Sequence, residues 1–164
     1  MALACASGCV SPRRAFTPAV DPATLDDVTF LHYLATVPVA TVDEGCRSVL
    51  MLRDNGGAQT PESRRDRLID LGALKATWSL APDQILDKGT LAYMLRTICN
   101  MPRGLNETLA IRTGLGDRRY AIRTCAREGV LSYGLPHEPV TGGELVAAIA
   151  KADEYLEAKT RPEG

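Results

Sequence analysis

The chain has 164 residues, 45% of them hydrophobic, which is enough for one folded domain and excludes a wholly disordered protein. Its net charge is −1 and its pI is about 6.1, so no overall field attracts nucleic acid or an anionic membrane surface. A charged partner would therefore have to bind to a local patch of charged residues.

The first nine residues resemble the end of a bacterial secretion signal. They are small and apolar, and Ala-Ser-Gly-Cys at residues 6–9 resembles the four-residue box of lipoproteins, in which the cysteine is lipidated after cleavage. Cys9 is then the lipid anchor. The alternative is a frayed terminus with two incidental cysteines. No other stretch approaches the roughly 18 apolar residues of a membrane span.

Residues 10–23 are predicted to form a tether, because they contain three prolines and no apolar periodicity. Ordered structure is expected to begin at Thr24, a threonine cap placed three residues before Asp27. A short amphipathic helix over residues 30–34 follows, and Val37 and Pro38 end it.

The middle of the chain predicts a helix, a loop and a second helix. The first helix has Thr60 as its cap and Gly72 just past its end, where glycine most easily adopts a left-handed conformation. The second begins at Asp87, whose side chain can accept a hydrogen bond from a first-turn amide. Its apolar face has the spacing i, i+3, i+4, i+7 and consists of Leu91, Met94, Leu95 and Ile98.

The C-terminal third repeats this layout. Asp117 opens a helix and Gly129 closes it. After a loop, Thr141 caps a long helix, and Glu144 can return a hydrogen bond to the Thr141 amide as in a capping box. The apolar positions that follow Thr141 match those that follow Asp87, and they are Leu145, Ala148, Ile149 and Ala152.

Self-similarity at about 50 residues indicates stacked units, each too small to bury its own apolar face. We therefore expect a mainly α fold of tandem helix-loop-helix repeats over residues 24–159, with a disordered tail at 160–164. Residues 40–52 suggest a third unit, although Arg47 stands there where Leu91 stands in the second. Chance similarity between two well-capped helices is the alternative. Residues 108–113 look strand-like and predict at most one short strand pair.

The sequence of a first helix, Gly-Ala-Leu or Gly-Val-Leu, a loop and a capped second helix resembles the S-layer homology domain of bacterial envelope proteins. The resemblance covers residues 25–158. It implies three units packed about a pseudo-threefold axis, with cell-wall polysaccharide in the grooves between them. The family usually starts its second helix with Thr-Arg-Ala-Glu, of which Lys88 keeps the positive charge and Glu144 the acid.

Residues that could bind such a polymer follow from this hypothesis. Arg119 and Arg123 belong to a basic stripe with a spacing of four residues, and with Lys88 and the first-turn amides they offer donors to an anionic sugar polymer. Trp78 and Tyr133 lie in the two equivalent loops and could offer flat faces to sugar rings. The alternatives are a solvated basic face and loop aromatics that cover a small core.

Three cysteines lie in the predicted folded part. Cys99 and Cys125 each lie near a helix end and could form a disulfide in an exported protein. The alternative is that these two and Cys46 are free thiols in a helical core.

No catalytic pattern is present in the sequence. The two histidines are far apart, no Cys or His cluster has metal-ligand spacing, and phosphate-loop and dinucleotide patterns are absent. We expect a non-enzymatic protein without a cofactor or metal, located in the cell envelope. Two function classes remain: a lipid-anchored protein that binds wall glycan or peptidoglycan, and a helical module that binds another envelope protein through an apolar groove.

Overall fold

The computed structural model describes residues 20–53, 60–102 and 116–161. Within these ranges the chain is helical and contains no strand, and isolated bridges pair Thr41 with Ile85 and Asp87 with Pro139. The prediction of a mainly α fold is confirmed; the strand-like residues 108–113 lie outside the described ranges. The helices are a 3-10 turn at Pro22–Thr24, α1 (Asp27–Thr36), α2 (Val42–Met51), α3 (Pro61–Asp70), α4 (Lys88–Ile98), α5 (Asp117–Arg127) and α6 (Gly142–Thr160).

Side-chain caps define where the second helix of each pair begins. The Asp87 carboxylate accepts a hydrogen bond from the Thr90 amide at 2.6 Å. Thr141 and Glu144 form a reciprocal capping box, and Thr41 and Glu44 form the same box at α2. Each cap satisfies first-turn amides that have no partner within the helix. None of the described helices combines the length and apolar character needed to cross a lipid bilayer.

The predicted cap of the first helix is wrong. Asp26 caps α1, because its carboxylate accepts hydrogen bonds from the amides of Val28 and Thr29, whereas Thr24 ends a 3-10 turn that Asp21 caps. This turn at Pro22–Thr24 lies partly within the predicted tether. The prediction that Asp117 opens a helix is confirmed, because Asp117 is the first residue of α5 and follows Gly116, its cap, at φ +87°.

The predicted alignment of the first unit is also wrong, by two residues. The sequence suggested that Asp43 matches Asp87, but Thr41 is the cap of α2. Gly45, four residues after its cap, therefore stands where Leu91 stands, and Arg47 lies two residues further on. The Arg47 guanidinium bonds the carbonyls of Pro22 and Leu25 and contacts Asp27, so it is paired although it is buried. At the other end of the chain, α6 extends to Thr160, inside the predicted tail.

Three backbone hydrogen bonds connect the residues that precede the three caps. The amide of Ala40 donates to the Val140 carbonyl at 2.8 Å, that of Val140 to Leu86 at 3.0 Å, and that of Leu86 to Ala40 at 2.9 Å. The bonds form a closed ring, and its three residues are fully or almost fully buried. Because each residue gives one bond and receives one, no buried backbone group in the ring is left unpaired.

Helix packing follows the same cyclic order. We call α1–α2, α3–α4 and α5–α6 units 1, 2 and 3. The second helix of each unit packs most extensively on the first helix of the next, so α2 packs on α3, α4 on α5 and α6 on α1. Leu91, Leu95 and Leu145 are fully buried in the shared core, each contributing roughly 1.5–3 kcal/mol. A unit alone would expose these faces.

We expect Gly142→Ala to destabilise the fold by at least about 2 kcal/mol, the cost of overpacking. A Cβ at residue 142 would lie 1.9 Å from the Leu34 carbonyl oxygen of α1, which is backbone and cannot rotate away. Gly143→Ala is the matched control, because a Cβ there meets nothing within 4 Å; it should leave stability unchanged or raise it by up to about 1 kcal/mol. Urea unfolding of both variants measures the difference. Equal midpoints would contradict the described contact between α1 and α6.

Candidate functional site

The first-turn amides of the second helices were predicted to be free donors for an anionic polymer, and this expectation is wrong. The Val42 and Asp43 amides of α2 donate to the carbonyls of Gln84 and Pro82 in the unit 2 loop. At α4, Lys88 and Gly89 donate in the same way to Glu138 and Pro136. The Gly142 amide donates to Val37. The helix starts are used to join units, which leaves these amides unavailable to an anion.

Lys88 joins unit 2 to unit 3 and is almost fully buried. Its side chain is 3% exposed, and its Nζ lies 3.3 Å from Glu138 Oε2 and 3.5 Å from Glu144 Oε1. A Cβ on Gly134 would lie 2.9 Å from the same Nζ, so a larger residue there would displace the ammonium from this position. The structure thus brings together Lys88 and Glu144, which were both predicted to bind ligand, but the Lys88 ammonium is buried and paired, while the side chains of Glu138 and Glu144 are partly exposed.

The charge on Glu144 is favoured by its surroundings. The Thr141 backbone amide, and to a smaller extent the Lys88 ammonium, hold the pKa of Glu144 below its ordinary value of 4.5, although partial burial opposes them. A lowered folded pKa means that this stabilisation is present above about pH 4.5 and is lost as the pH falls through the folded value.

Glu144→Gln should therefore lower the unfolding free energy at about pH 7 and make its decline between about pH 5 and pH 2 shallower than in the wild type. Glutamine can keep the capping hydrogen bonds and removes only the charge. Chemical unfolding at several pH values tests this. Glu154→Gln, on the exposed part of α6, is the control and should leave the slope unchanged; a slope equally unchanged in Glu144→Gln would contradict the described ion cluster.

Trp78 is held at the junction between units 2 and 3. Its ring packs edge-on against Tyr93, with centroids 5.0 Å apart, and the Arg118 guanidinium lies 4.2 Å from its centroid. Arg118 also contacts Asp87 Oδ2 at 3.1 Å, and Lys75 pairs with Asp117. One face of Trp78 is therefore covered by a cation rather than open to a sugar ring.

The other predicted binding residues lie at the surface. Arg119 and Arg123 are exposed on α5, and the Arg123 guanidinium lies 5.8 Å from the Tyr120 centroid. Tyr133 is 66% exposed in the loop between α5 and α6, two residues before Leu135, which is 60% exposed. These side chains are accessible, but they line none of the described cavities.

Cys46, Cys99 and Cys125 are buried free thiols, as in the alternative of free thiols in a helical core, and the possible Cys99–Cys125 disulfide is not formed in the structure. The Cys125 thiol donates to the Ala92 carbonyl at 3.3 Å and lies 3.8 Å from the Met101 sulfur. Burial raises the pKa of Cys46 and of Cys125 to about 12 and that of Cys99 to about 11. Cys9, the predicted lipid anchor, lies outside the described residues.

We expect all three thiols to resist alkylation in the native protein. At about pH 8 the raised pKa values leave roughly one thiolate in a thousand or fewer, and burial blocks the reagent. Iodoacetamide labelling followed by peptide mass spectrometry should find the peptides of Cys46, Cys99 and Cys125 unmodified until urea is added. Rapid labelling without urea, or a Cys99–Cys125 linkage in the protein isolated without reductant, would contradict this state.

A concavity lies between α2 and α3, at the junction of units 1 and 2. It has a volume of about 330 Å³, and we call it the α2–α3 groove. Asp43 at its base is held by Arg64, whose Nε and Nη2 donate to the two carboxylate oxygens at 2.8 and 2.5 Å. Arg65 donates to the Trp78 carbonyl at 3.1 Å. The groove is lined by Val42, Asp43, Cys46, Pro61, Glu62, Arg65, Asp66, Leu80 and Pro82.

Glycine stands at corresponding positions in the other two units. Gly89 occupies the place of Asp43 in unit 2, and a Cβ there would lie 2.8 Å from the Arg118 Cβ and 2.9 Å from the Pro136 oxygen. Gly142 occupies the place of Val42 in unit 3 and lies close to the Leu34 backbone, whereas Gly143, in the place of Asp43, has open space around it. Sequence reasoning did not identify the α2–α3 groove, because its residues come from two units whose contact no local pattern reveals.

A wider cleft of about 970 Å³ lies between the ends of α4 and α6, where Lys159 donates to the Asn100 carbonyl at 2.9 Å. It extends to Pro102, beyond which residues 103–115 lie outside the described ranges, so we assign no site to it. Among the described residues, no group of three or more His, Cys, Asp or Glu side chains is arranged to hold a metal ion.

No protein-family model, curated protein or solved structure significantly matches this chain.

Proposed function

We propose that the chain is a non-catalytic cell-envelope protein whose helical domain resembles an S-layer homology domain and binds cell-wall glycan or peptidoglycan. In this proposal a lipid on Cys9 attaches the protein to the membrane, and the domain faces the periplasm or the outside. The wall polymer is the partner, and no cofactor takes part.

The observation that carries the proposal is the cyclic joining of three units. The ring through Ala40, Leu86 and Val140, and the packing of each second helix on the next first helix, agree with the three-unit arrangement that the resemblance implies. The resemblance implies grooves between the units of such an arrangement. The grooves are the places at which the resemblance implies bound polysaccharide.

The α2–α3 groove has the composition of a sugar site. Asp43, Glu62 and Asp66 offer acceptors to sugar hydroxyl groups, and Arg65 offers donors. Leu80 and the two prolines of its walls can pack on the C–H faces of a pyranose ring. We place the principal contact here rather than at Lys88, whose ammonium is buried and paired.

A second candidate function is binding of another envelope protein. The exposed pair Tyr133 and Leu135, in the loop before α6, favours it, because aromatic and aliphatic side chains next to each other are typical of protein contacts. In that case the groove would bind no sugar.

Co-sedimentation with purified bacterial cell wall tests the proposal. We expect the wild type to sediment with the wall and Glu62→Ala/Asp66→Ala to lose roughly tenfold or more in affinity, because the groove loses two charged acceptors. Asp153→Ala/Glu154→Ala removes the same charge from the exposed surface of α6 and is the matched control.

Two other outcomes have a defined meaning. One outcome is that wall binding by the wild type depends strongly on salt and that Arg119→Ala/Arg123→Ala is the only variant to lose it. This outcome would place the contact on the α5 surface instead of in the groove. No wall binding by the wild type, together with co-purification of one protein that Tyr133→Ala/Leu135→Ala abolishes, would overturn the glycan proposal in favour of the second candidate.

A further inference from the structure

We infer that the α2–α3 groove selects a sugar that carries a protonated amino group, such as a hexosamine without its N-acetyl group, and disfavours anionic sugars. This inference rests on the proposed glycan-binding function and narrows the class of ligand. It departs from the sequence-based expectation of an anionic polymer, because the structure presents different groups to the ligand from those the sequence suggested.

The charge in the groove favours a cation. Its carboxylates are Asp43, Glu62 and Asp66, and the guanidinium groups facing them are Arg64 and Arg65. Three negative and two positive groups leave one net negative charge. Arg64 is committed to Asp43 by two hydrogen bonds, and Arg65 donates to the Trp78 carbonyl.

The carboxylates of Glu62 and Asp66 are the ones that face solvent. Both residues are exposed and stand four positions apart on α3, so their side chains point from the same side of the helix. A ligand that enters the groove passes them first.

An anion would find few donors in the groove. The Val42 and Asp43 amides at the start of α2, which would ordinarily attract a phosphate or carboxylate, donate to the carbonyls of Gln84 and Pro82. Cys46 at the base cannot supply a positive charge, and burial raises its pKa to about 12, so it remains a neutral thiol. Arg65 is then the one cation on the lining of the groove.

The acidic groups are not arranged for a metal ion, since no described set of three or more carboxylates, thiols or imidazoles converges on one point. An ammonium group needs no such convergence, because its three N–H donors can bond acceptors in different directions. Opposite charges about 4 Å apart at a protein surface interact by roughly 1–4 kcal/mol before losses to solvent. A preference of about tenfold for the amine is therefore a reasonable expectation.

The test is titration of the purified full chain with three disaccharides of equal size: the β-1,4-linked dimer of glucosamine, its N,N′-diacetyl form, and a disaccharide carrying a uronic acid. Isothermal titration calorimetry at about pH 6, where an ordinary amine is protonated, gives affinity and stoichiometry. Amide NMR shifts locate the site. We expect the glucosamine dimer to bind about tenfold tighter than the diacetyl form, with shifts at α2, α3 and residues 80–84.

Glu62→Gln/Asp66→Gln should reduce this preference to less than about twofold while the protein stays folded, since both side chains are exposed and glutamine keeps their polarity. Asp153→Asn/Glu154→Gln should retain the preference. Equal or tighter binding of the uronic-acid disaccharide, or shifts confined to α5, would overturn the inference. If intact wall is bound but no disaccharide shows the amine preference, only this inference fails; if wall is not bound either, the proposed function fails with it.

Discussion

The ring of three backbone hydrogen bonds through Ala40, Leu86 and Val140 is the constraint on which the rest of the structure depends. Each residue immediately precedes the cap of a second helix, so the ring fixes the starts of α2, α4 and α6 relative to one another. Opening one bond would leave a buried donor and a buried acceptor unpaired, at about 1–3 kcal/mol each. The relative positions of the three units are therefore fixed only when all three bonds of the ring are formed.

This closure decides where a ligand can bind. The first-turn amides of the second helices donate hydrogen bonds to carbonyls of neighbouring units. These amides therefore join the units, and they are not available to bind an anion as helix N-termini often do. Gly89 and Gly142 bring neighbouring units into close contact at two junctions, whereas Val42 and Asp43 line the α2–α3 groove at the third. The proposed site thus arises from a departure from strict repetition: Val42 and Asp43 follow the cap in unit 1, where Lys88 and Gly89 follow it in unit 2 and Gly142 and Gly143 in unit 3.

The helices were predictable from the sequence because their signals are local. A cap such as Asp87, a left-handed Gly72 and apolar spacing over one or two turns each act within a few residues. The register of α2 was missed because Asp43 looks like a cap, while the box between Thr41 and Glu44 starts the helix two residues earlier. The ring could not be predicted, since it consists of backbone groups far apart in the chain. Lys88 was misjudged for a related reason: its two ion-pair partners, Glu138 and Glu144, both belong to unit 3.

The joining of three units by the ring is the central claim, and native-state hydrogen exchange of the three ring amides tests it most directly. The account predicts that the amides of Ala40, Leu86 and Val140 exchange slowly and at similar rates, set by unfolding of the whole domain. Fast exchange at any one of them, while the interior amides of α4 remain protected, would show that the ring opens independently and would contradict the account.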